Sequence, residues 1–564
     1  MNKDIALAIS GGGYRSTLFA LGSLWRLNEF GLLKKINRIT SVSGGSILTG
    51  YLAMRWRELV FDPKTNVATN FNKVIVDPIR KFCSKPLDIP AVISGILSED
   101  TLGDKVAEQY QRRLFGKTCL RDLPSTSKEP EFIFYAASLQ TGDGVIMSRE
   151  GIYDYKVGKI YRPGMLLAKV VGASSAFPPI FSPVVLEYNP GEWEETKYSS
   201  LYHKPQFKDK LYLTDGGVYD NMGLEAVWND GFKTVLVCDA GAPWTDLPRP
   251  WTNPISQLYR VFSVTGAQGG RQRKRVLIDN FKEKDAKGKP IHYGGTYWGI
   301  ATDIDDYELE DPMVNDNQIT SKLKNVRTRL NSFKPEDQGH LINWGYALTD
   351  TALRRWYFTD KHEKGIWPIP EYALDQYCPG YVKRFFAPVY PAINWDRIEF
   401  HKGLPGGLGK LITRQNTAAI TLCSWKSNKI DIYFKEDRWE PWRSTDGMAL
   451  IGHELFHTKD IMSVCGGKGW GLLQPWFIAY LFCLLLSRWD SGRKHYLEKT
   501  AYNIEDALRK YFSDEPLSDF TKIPLGDAFL NKYLDNESIG IIKLEKRSIV
   551  SIFTGSIKQA FGKR

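Results

Sequence analysis

The 564-residue sequence contains only seven cysteines, no Cys-x-x-Cys pair and no N-terminal secretion signal. Because an odd number of cysteines cannot close into a complete disulfide set, the composition favours a reducing compartment. The N-terminus MNKDIALAISGGG has a short apolar run before the glycines, without the hydrophobic region and small-residue cleavage site of a signal peptide. We therefore expect a cytoplasmic protein.

Long uninterrupted hydrophobic runs are also scarce. The segment that needs testing as a membrane span is 469–487, GWGLLQPWFIAYLFCLLLS, which carries no charge. Gln474 and Pro475 leave only 476–486 as continuous apolar sequence, whereas a span needs about 20 predominantly apolar residues. We interpret the segment as a buried or interfacial helix, with a membrane span as the alternative.

The composition otherwise predicts a large folded protein. Hydrophobic residues make up 43% of the chain and charged residues 25%, as in ordinary globular domains. The formal net charge of +11 favours contact with polyanionic surfaces, including anionic lipid. No basic strip with interleaved aromatic residues lies on a recognisable binding fold, so nucleic acid is not an expected partner.

The C-terminal segment 541–564 combines positive charge with an apolar stripe. Its six Lys and Arg residues stand against a single acid, Glu545. Its apolar positions share one helical face: Ile542, Ile549, Phe553, Ile557 and Phe561. This pattern predicts either an amphipathic helix lying on an anionic membrane or a terminal helix docked on the protein's own core.

Strand-like and helix-like segments alternate in the first 240 residues. The pattern predicts strands at 5–10, 38–43, 132–138 and 234–240, and helices at 17–30 and from Gly45 onward. Such alternation is typical of an α/β fold with a mostly parallel sheet flanked by helices.

A change in amino-acid composition predicts the domain boundaries. Segment 357–396 is rich in proline and aromatic residues and is interpreted as a connector between a first domain, 1–356, and a second, 397–515. The second domain begins with a strand pair, ITLCSW and KIDIYF, and continues with a long helical stretch from Gly447. Residues 516–564 then form the basic tail.

Three consecutive glycines follow the first strand in ISGGGYRS, 9–16. Glycines at the start of a helix leave backbone amides unobstructed where the helix dipole favours negative charge, so this loop is suited to bind an anion. It lacks the GK[ST] of a phosphate loop and the spacing of a dinucleotide fingerprint. The remaining interpretation is an oxyanion hole.

The second strand ends in SVSGGS, 41–46, which places Ser43 between a strand and a glycine-permitted helix start. This is the pattern of the G-x-S-x-G nucleophile elbow, with Ser41 in place of the first glycine. A plain strand-to-helix turn is the structural alternative.

A nucleophilic serine needs a base, and none of the eight histidines lies in the first 202 residues. An aspartate can accept the hydroxyl proton instead. The best-placed candidate is Asp215 in YLTDGGVYDN, because a strand ends there at the carboxyl edge of the predicted sheet. A lone Asp-Gly-Gly motif is otherwise simply a turn.

Together these motifs resemble those of the patatin-like phospholipases. GGGYRS is similar to the family's oxyanion loop, SVSGGS to its nucleophile elbow and TDGGVYDNMG to its catalytic Asp-Gly-Gly motif. GASSAFPPIF at 172–181 is similar to a further family segment, and the resemblance extends over about residues 1–356.

The resemblance implies a cofactor-independent lipid acyl hydrolase acting on membrane phospholipids. In it, Ser43 attacks an ester carbonyl and Asp215 acts as the base. The oxyanion-binding residues carried over are Gly11, Gly12, Gly13 and Arg15, the last as a support of the loop.

A second chemical motif, HELFH, stands at 453–457. The i, i+4 spacing puts His453 and His457 on one helical face, as two zinc ligands require, and leaves Glu454 beside the metal to activate water. The alternatives are ordinary surface residues or a domain that has lost its metal.

A third ligand is expected downstream. Glu498 stands in a Glu-x-x-Ala-Tyr helix that resembles the glutamate helix of gluzincin-type metallopeptidases, and His495 and Glu505 are alternatives. This looser resemblance covers about residues 397–510 and implies zinc, but not that a peptide is cut.

The sequence thus predicts a phospholipase fused to a zincin-like domain, peripherally associated with membranes. The second half is expected to restrain, target or process the first, with a regulatory protein or peptide as a further partner. The rival hypothesis makes the zinc metallopeptidase the working enzyme and the patatin-like unit a lipid-binding platform. A third makes the second half a metal-free binding module.

Overall fold

The computed structural model divides the chain into two compact units. The first comprises Met1–Val314 and Thr320–Leu374, and the second comprises Asn315–Ile319 and Asp375–Arg564. The described residues are 3–87, 101–124, 128–161, 164–179, 181–228, 230–328, 330–376, 380–405, 417–423, 429–465, 496–514, 526–534, 536–543, 556 and 559. The change of unit after Leu374 lies inside the segment interpreted as a connector, and the predicted domain boundaries stay a prediction.

A single large sheet organises the first unit. Its strands are β1 (Ile5–Ile9), β2 (Arg38–Val42), β3 (Glu131–Ser138), β4 (Gly144–Ser148), β5 (Gly151–Asp154), β6 (Gly158–Tyr161), β7 (Val184–Glu187), β8 (Trp193–Glu194), β9 (Lys210–Asp215), β10 (Thr234–Asp239) and β11 (Gly294–Gly299). Their order is β11-β10-β1-β2-β3-β4-β5-β6-β8, with β9 paired to β3 and β7 paired to β9.

The centre of this sheet is parallel and its extension is antiparallel. Strands β11, β10, β1, β2 and β3 pair in parallel, and the strands beyond β3 pair antiparallel. The predicted α/β fold with a parallel sheet flanked by helices is therefore confirmed for the central strands. Of the extension, the sequence indicated only the end of β9 at Asp215, and the other strands were not predicted, because they lack the continuous hydrophobic runs of β1 and β10.

The helices before residue 374 are α1 (Gly13–Glu29), α2 (Gly44–Arg55), α3 (Asp77–Cys83), α4 (Leu102–Tyr110), α5 (Leu167–Ser174), α6 (Gly217–Asp220), α7 (Pro254–Lys282), α8 (Gln318–Lys324) and α9 (Pro335–Trp356). Helices α1 and α9 pack very closely because glycines lie at their contact. A Cβ on Gly22 of α1 would lie 1.9 Å from the Ile342 carbonyl oxygen of α9, and one on Gly345 would lie 1.9 Å from that of Phe19. These two glycines let α1 and α9 pack backbone to backbone.

The second unit joins a small sheet to helices. Its strands are β12 (Ile398–Lys402), β13 (Ala419–Cys423) and β14 (Ile430–Phe434), and its helices are α10 (Gly380–Val389), α11 (Thr445–Cys465), α12 (Tyr496–Asp514), α13 (Asp527–Tyr533) and α14 (Asn536–Lys543). The predicted strand pair is β13 and β14, which run antiparallel, and β12 joins β14 in parallel.

The predicted apolar segment 469–487 and most of the predicted tail lie outside the described residues. Among the residues that are described, no helix combines the length and the hydrophobicity needed to cross a bilayer.

Candidate functional site

The turn from β2 into α2 holds Ser43 in an unusual backbone conformation, with φ 51° and ψ −119°. Positive φ is uncommon for a non-glycine residue and marks a strained turn. A Cβ on Gly44 would lie 2.0 Å from the Gly13 carbonyl oxygen, and one on Gly45 would lie 2.7 Å from that of Ser10. The two glycines therefore let the Ser43 turn pack directly on the glycine-rich loop.

Asp215 ends β9 beside Ser43 and is buried. Burial raises the pKa of its carboxyl to about 6. The neighbouring Ser43 side chain and the Gly217 N–H act in the opposite direction and lower this pKa. The Gly217 N–H donates to Asp215 Oδ1 at 2.7 Å. The structure thus brings together the two residues that the sequence predicts as a dyad, with the Asp215 carboxylate beside the Ser43 side chain.

Ser174 links the two halves of this pair. The Ser43 N–H donates to both the carbonyl oxygen and Oγ of Ser174, at 3.1 and 3.0 Å. The Gly216 N–H donates to the same carbonyl oxygen at 3.3 Å, and Ser174 Oγ donates to the Tyr135 carbonyl at 2.7 Å. Sequence reasoning missed this role, although GASSAFPPIF contains the residue.

The glycine-rich loop faces the same point. A Cβ on Gly11 would lie 3.0 Å from Ser43 Cβ, and the Gly11 N–H donates to the Asn221 carbonyl oxygen at 3.0 Å. Gly12, at φ 149°, precedes α1, and Gly13, at φ 59°, begins it. Because the Gly11 amide is engaged, the amides of Gly12 and Gly13 at the helix N-terminus are the better donors for an anion.

Arg15 lies behind the loop and is buried. Its Nη1 donates to the Val326 carbonyl at 2.7 Å and its Nη2 donates to the Ala240 carbonyl. Burial lowers the pKa of this guanidinium to about 10, with Asp239 acting in the opposite direction. These contacts fit a support of the loop rather than a ligand of substrate.

In the second unit, α11 and α12 bring together His453, His457 and Glu498, all buried. The two histidine Nε2 atoms are 3.2 Å apart, and Glu498 Oε2 lies 3.2 Å from that of His453 and 3.4 Å from that of His457. Glu505 Oε2 lies 3.0 Å from His453 Nδ1 on the other side of the ring. His495 lies outside the described residues.

Glu454 is buried beside this cluster and is held by β13. Thr421 Oγ1 donates to Glu454 Oε2 at 2.6 Å. Burial raises the pKa of Glu454, while the neighbouring His453 and His457 lower it. No sequence motif indicated Thr421.

The charge of the cluster is shared between imidazole and carboxylate. Burial lowers the pKa of His453, but the neighbouring carboxylates of Glu498 and Glu505 outweigh it and raise the pKa to about 10. Burial raises the pKa of Glu498, yet the two imidazoles outweigh it and hold this pKa well below its ordinary value. The cluster therefore favours a positive charge at its centre, which a proton or a metal cation can supply.

Comparison with protein families identifies the domain that contains the first of these two sites. Residues 7–228 match the family described as patatin-like phospholipase, a range that includes Ser43, Asp215 and the glycine-rich loop. This part of the chain is a patatin-like phospholipase domain with an α/β fold. The matched range is shorter than the 1–356 expected from the motifs.

Solved structures give weaker resemblances. Human GIVD cytosolic phospholipase A2 is 12% identical over 62% of this chain and 58% of its own, with a TM-score of 0.37. VipD from Legionella pneumophila is 14% identical over 99% of this chain and 91% of its own, with a TM-score of 0.26. At these scores the resemblances carry no assignment of fold or activity. No curated protein sequence matches the chain.

Proposed function

We propose that the patatin-like phospholipase domain hydrolyses the acyl esters of membrane phospholipids with a Ser43–Asp215 dyad. The observation that carries the proposal is the burial of the Asp215 carboxylate beside the Ser43 side chain, with its pKa raised to about 6. A base with this pKa is ionised at neutral pH and still basic enough to accept a hydroxyl proton.

The proposed reaction has two halves. Ser43 Oγ attacks the ester carbonyl carbon while its proton passes to Asp215, and the developing oxyanion accepts hydrogen bonds from the Gly12 and Gly13 amides. The ester C–O bond then breaks, and the leaving lysophospholipid oxygen takes the proton from Asp215. In the second half, water gives a proton to Asp215 and adds to the acyl carbon. Fatty acid leaves, and Ser43 recovers its proton.

A fluorophosphonate probe tests the nucleophile without any choice of lipid. We expect the probe to label Ser43 in the full-length protein, as read by mass spectrometry of the digested chain. Labelling is expected to fall by at least about a hundredfold in Asp215→Asn, because the base that activates the hydroxyl is removed. The control is Ser84→Ala, which removes an exposed serine that bonds only its own helix. Equal labelling of Asp215→Asn and wild type would contradict the dyad.

A second proposal concerns the second unit, where His453, His457 and Glu498 would hold zinc. Two imidazole nitrogens and one carboxylate oxygen, all within 4.8 Å of one another, are a donor set that zinc prefers in catalytic sites. The carboxylate of Glu505 at His453 Nδ1 fits the usual outer support of a zinc-bound histidine. Zinc in this position supplies a Lewis acid that polarises a carbonyl.

In such a site Glu454 would accept a proton from the attacking water. Its burial and the hydrogen bond from Thr421 fix the carboxylate beside the cluster. The metal content of the purified full-length protein tests the site: we expect one zinc per chain in wild type and in His292→Ala, and none in His453→Ala. A protein that carries no zinc even after incubation with it would leave the second half as a metal-free binding module.

We further propose a cytoplasmic protein that associates peripherally with membranes, whose second half restrains, targets or processes the phospholipase. The fusion of the two units in one chain motivates this relationship. If the second half acts through its peptidase chemistry, Glu454→Ala will change the lipid hydrolysis of the full chain. A zinc peptidase with a lipid-binding platform remains the alternative function.

A further inference from the structure

The surface of α7 is unlike that of any other long helix in the part of the chain that is described. Of its 29 residues, Leu277 alone is buried. Its N-terminal half presents large apolar side chains to solvent, with Ile255 83% and Leu258 73% exposed. Tyr259 and Phe262 share their face at i, i+3, i+4 and i+7, and Trp251 precedes the helix with 75% exposure.

We refer to these five side chains as the apolar surface: Trp251, Ile255, Leu258, Tyr259 and Phe262. They are exposed to solvent instead of being buried in a hydrophobic core. Water-exposed patches of this kind are rare on monomeric proteins and mark contact with a partner or a membrane.

The surface adjoins the Ser43–Asp215 site. The Phe262 ring contacts the exposed Phe177 ring, with centroids 6.5 Å apart. Phe177 directly follows Ala176, whose carbonyl oxygen accepts the Asp215 N–H at 3.0 Å. The apolar surface is therefore connected to Asp215 through Phe177 and the adjoining Ala176.

The C-terminal half of α7 is fixed to residues that follow Asp215 in the chain. Arg273 donates to Glu225 at 2.9 Å, lies 3.7 Å from Asp220 and stacks over the Tyr219 ring. Tyr219 and Asp220 belong to α6, which begins two residues after Asp215. This anchor holds the helix in place beside the dyad.

The charge of α7 indicates which kind of partner the apolar surface binds. Within α7 the cations Arg260, Arg271, Arg273, Lys274, Arg275 and Lys282 stand against one acid, Asp279. Apolar side chains with flanking cations are the composition of helices that lie in the interface of anionic membranes.

We propose that α7 docks the protein on an anionic phospholipid bilayer and thereby presents the bilayer to the Ser43–Asp215 site. The purpose of this docking rests on the proposed phospholipase function, whereas the binding of α7 to a bilayer does not depend on it. The apolar surface enters the lipid interface, and Arg271 and Arg275, which are exposed, are attracted to the anionic headgroups.

Vesicle sedimentation tests the docking. The full chain carries Ser43→Ala so that no lipid is consumed, and it is mixed with vesicles of phosphatidylcholine or of phosphatidylcholine and phosphatidylglycerol in equal parts. We expect stronger binding to the anionic vesicles, and at least about tenfold weaker binding for Ile255→Ser/Leu258→Ser. The matched control is Val60→Ser/Ile366→Ser, which removes two comparably exposed apolar side chains elsewhere on the same unit.

A second variant guards against a folding defect. Arg271→Gln/Arg275→Gln changes exposed charge only, and it is expected to reduce the preference for anionic over neutral vesicles. Equal binding by the α7 variants and the control would overturn the proposal, as would a wild type that binds neither vesicle. A dimer in light scattering that Ile255→Ser/Leu258→Ser dissociates, with vesicle binding unaltered, would assign the surface to a second copy instead. Because sedimentation does not depend on catalysis, a failed fluorophosphonate label would overturn the phospholipase proposal without deciding this one.

Discussion

The backbone N–H of Ser43 donates to both oxygen atoms of Ser174, at 3.1 Å to the carbonyl and 3.0 Å to the hydroxyl. The same carbonyl oxygen accepts the N–H of Gly216, the residue after Asp215. One residue at the end of α5 therefore holds the strained serine turn and the aspartate turn in register. The geometry of the proposed dyad therefore depends on a residue to which the proposed mechanism gives no chemical step.

Ser174→Ala should lower kcat by about tenfold to a hundredfold with little change in KM, because small misplacements of reacting groups are costly and Ser174 is not placed against substrate. Steady-state kinetics on a soluble ester measures this split. Ser23→Ala is the matched control, since Ser23 is also buried and hydrogen-bonded but contacts Gly345 and Trp298. An unchanged kcat in Ser174→Ala, with a KM that rises, would show that the residue does not position the dyad.

The pH dependence of kcat/KM should report the Asp215 base. Burial raises its pKa to about 6, and only the ionised carboxylate accepts the Ser43 proton. Activity is therefore expected to be full above pH 7 and to fall about tenfold per pH unit below pH 6, whereas an ordinary aspartate would stay active to about pH 4. A profile that is flat between pH 7 and pH 5 would argue against Asp215 as the base.

The same raised pKa costs stability when Asp215 is ionised. An aspartate whose pKa is higher in the folded than in the unfolded state destabilises the fold above that pKa, and the cost declines as pH falls through about 6 towards about 4. Asp215→Asn should therefore raise Tm at pH 7.5, and this gain should shrink at acidic pH. Calorimetry of both proteins across this range measures the effect. A Tm gain that does not vary with pH would point to a cause other than ionisation.

The zinc proposal predicts a role for Glu505, which faces His453 Nδ1 at 3.0 Å. Glu505→Gln should weaken zinc affinity by about tenfold to a hundredfold, because the outer carboxylate orients the histidine and raises its basicity. Competition with a chromophoric chelator measures the affinity. Glu283→Gln is the matched control, since Glu283 pairs with His292 at the same distance in the other unit. Equal zinc affinity in the two variants would remove Glu505 from the site.

Much of the first site is local in sequence and could be predicted. The glycine-rich loop and the serine turn follow β1 and β2, and parallel strands bring such turns to one edge of the sheet. The Asp-Gly-Gly turn follows β9, which runs antiparallel to β3, so this rule does not account for its position beside Ser43. The predicted helix start at residue 17 was late by four residues, because the last of the three glycines, Gly13, already begins α1.

What could not be predicted depends on contacts between distant elements. Ser174 meets Ser43 across 131 positions, and its hydrogen bonds follow from how α5 packs, which no local pattern encodes. The sequence left Glu498, His495 and Glu505 open as third ligand, because the choice depends on the register of α12 against α11. That register places Glu498 at both Nε2 atoms and Glu505 at Nδ1. The exposure of the apolar face of α7 also follows from tertiary structure, since apolar residues at i, i+3, i+4 and i+7 are equally typical of a helix packed on a core.

Fatty-acid release from anionic phospholipid vesicles tests the Ser43–Asp215 phospholipase most directly, with full-length wild type, Ser43→Ala and Glu454→Ala proteins compared side by side. We predict release by wild type, loss of at least about a thousandfold in Ser43→Ala, and retained release in Glu454→Ala. Release that persists in Ser43→Ala, or that disappears only in Glu454→Ala, would contradict the Ser43–Asp215 phospholipase and place the working chemistry in the second unit.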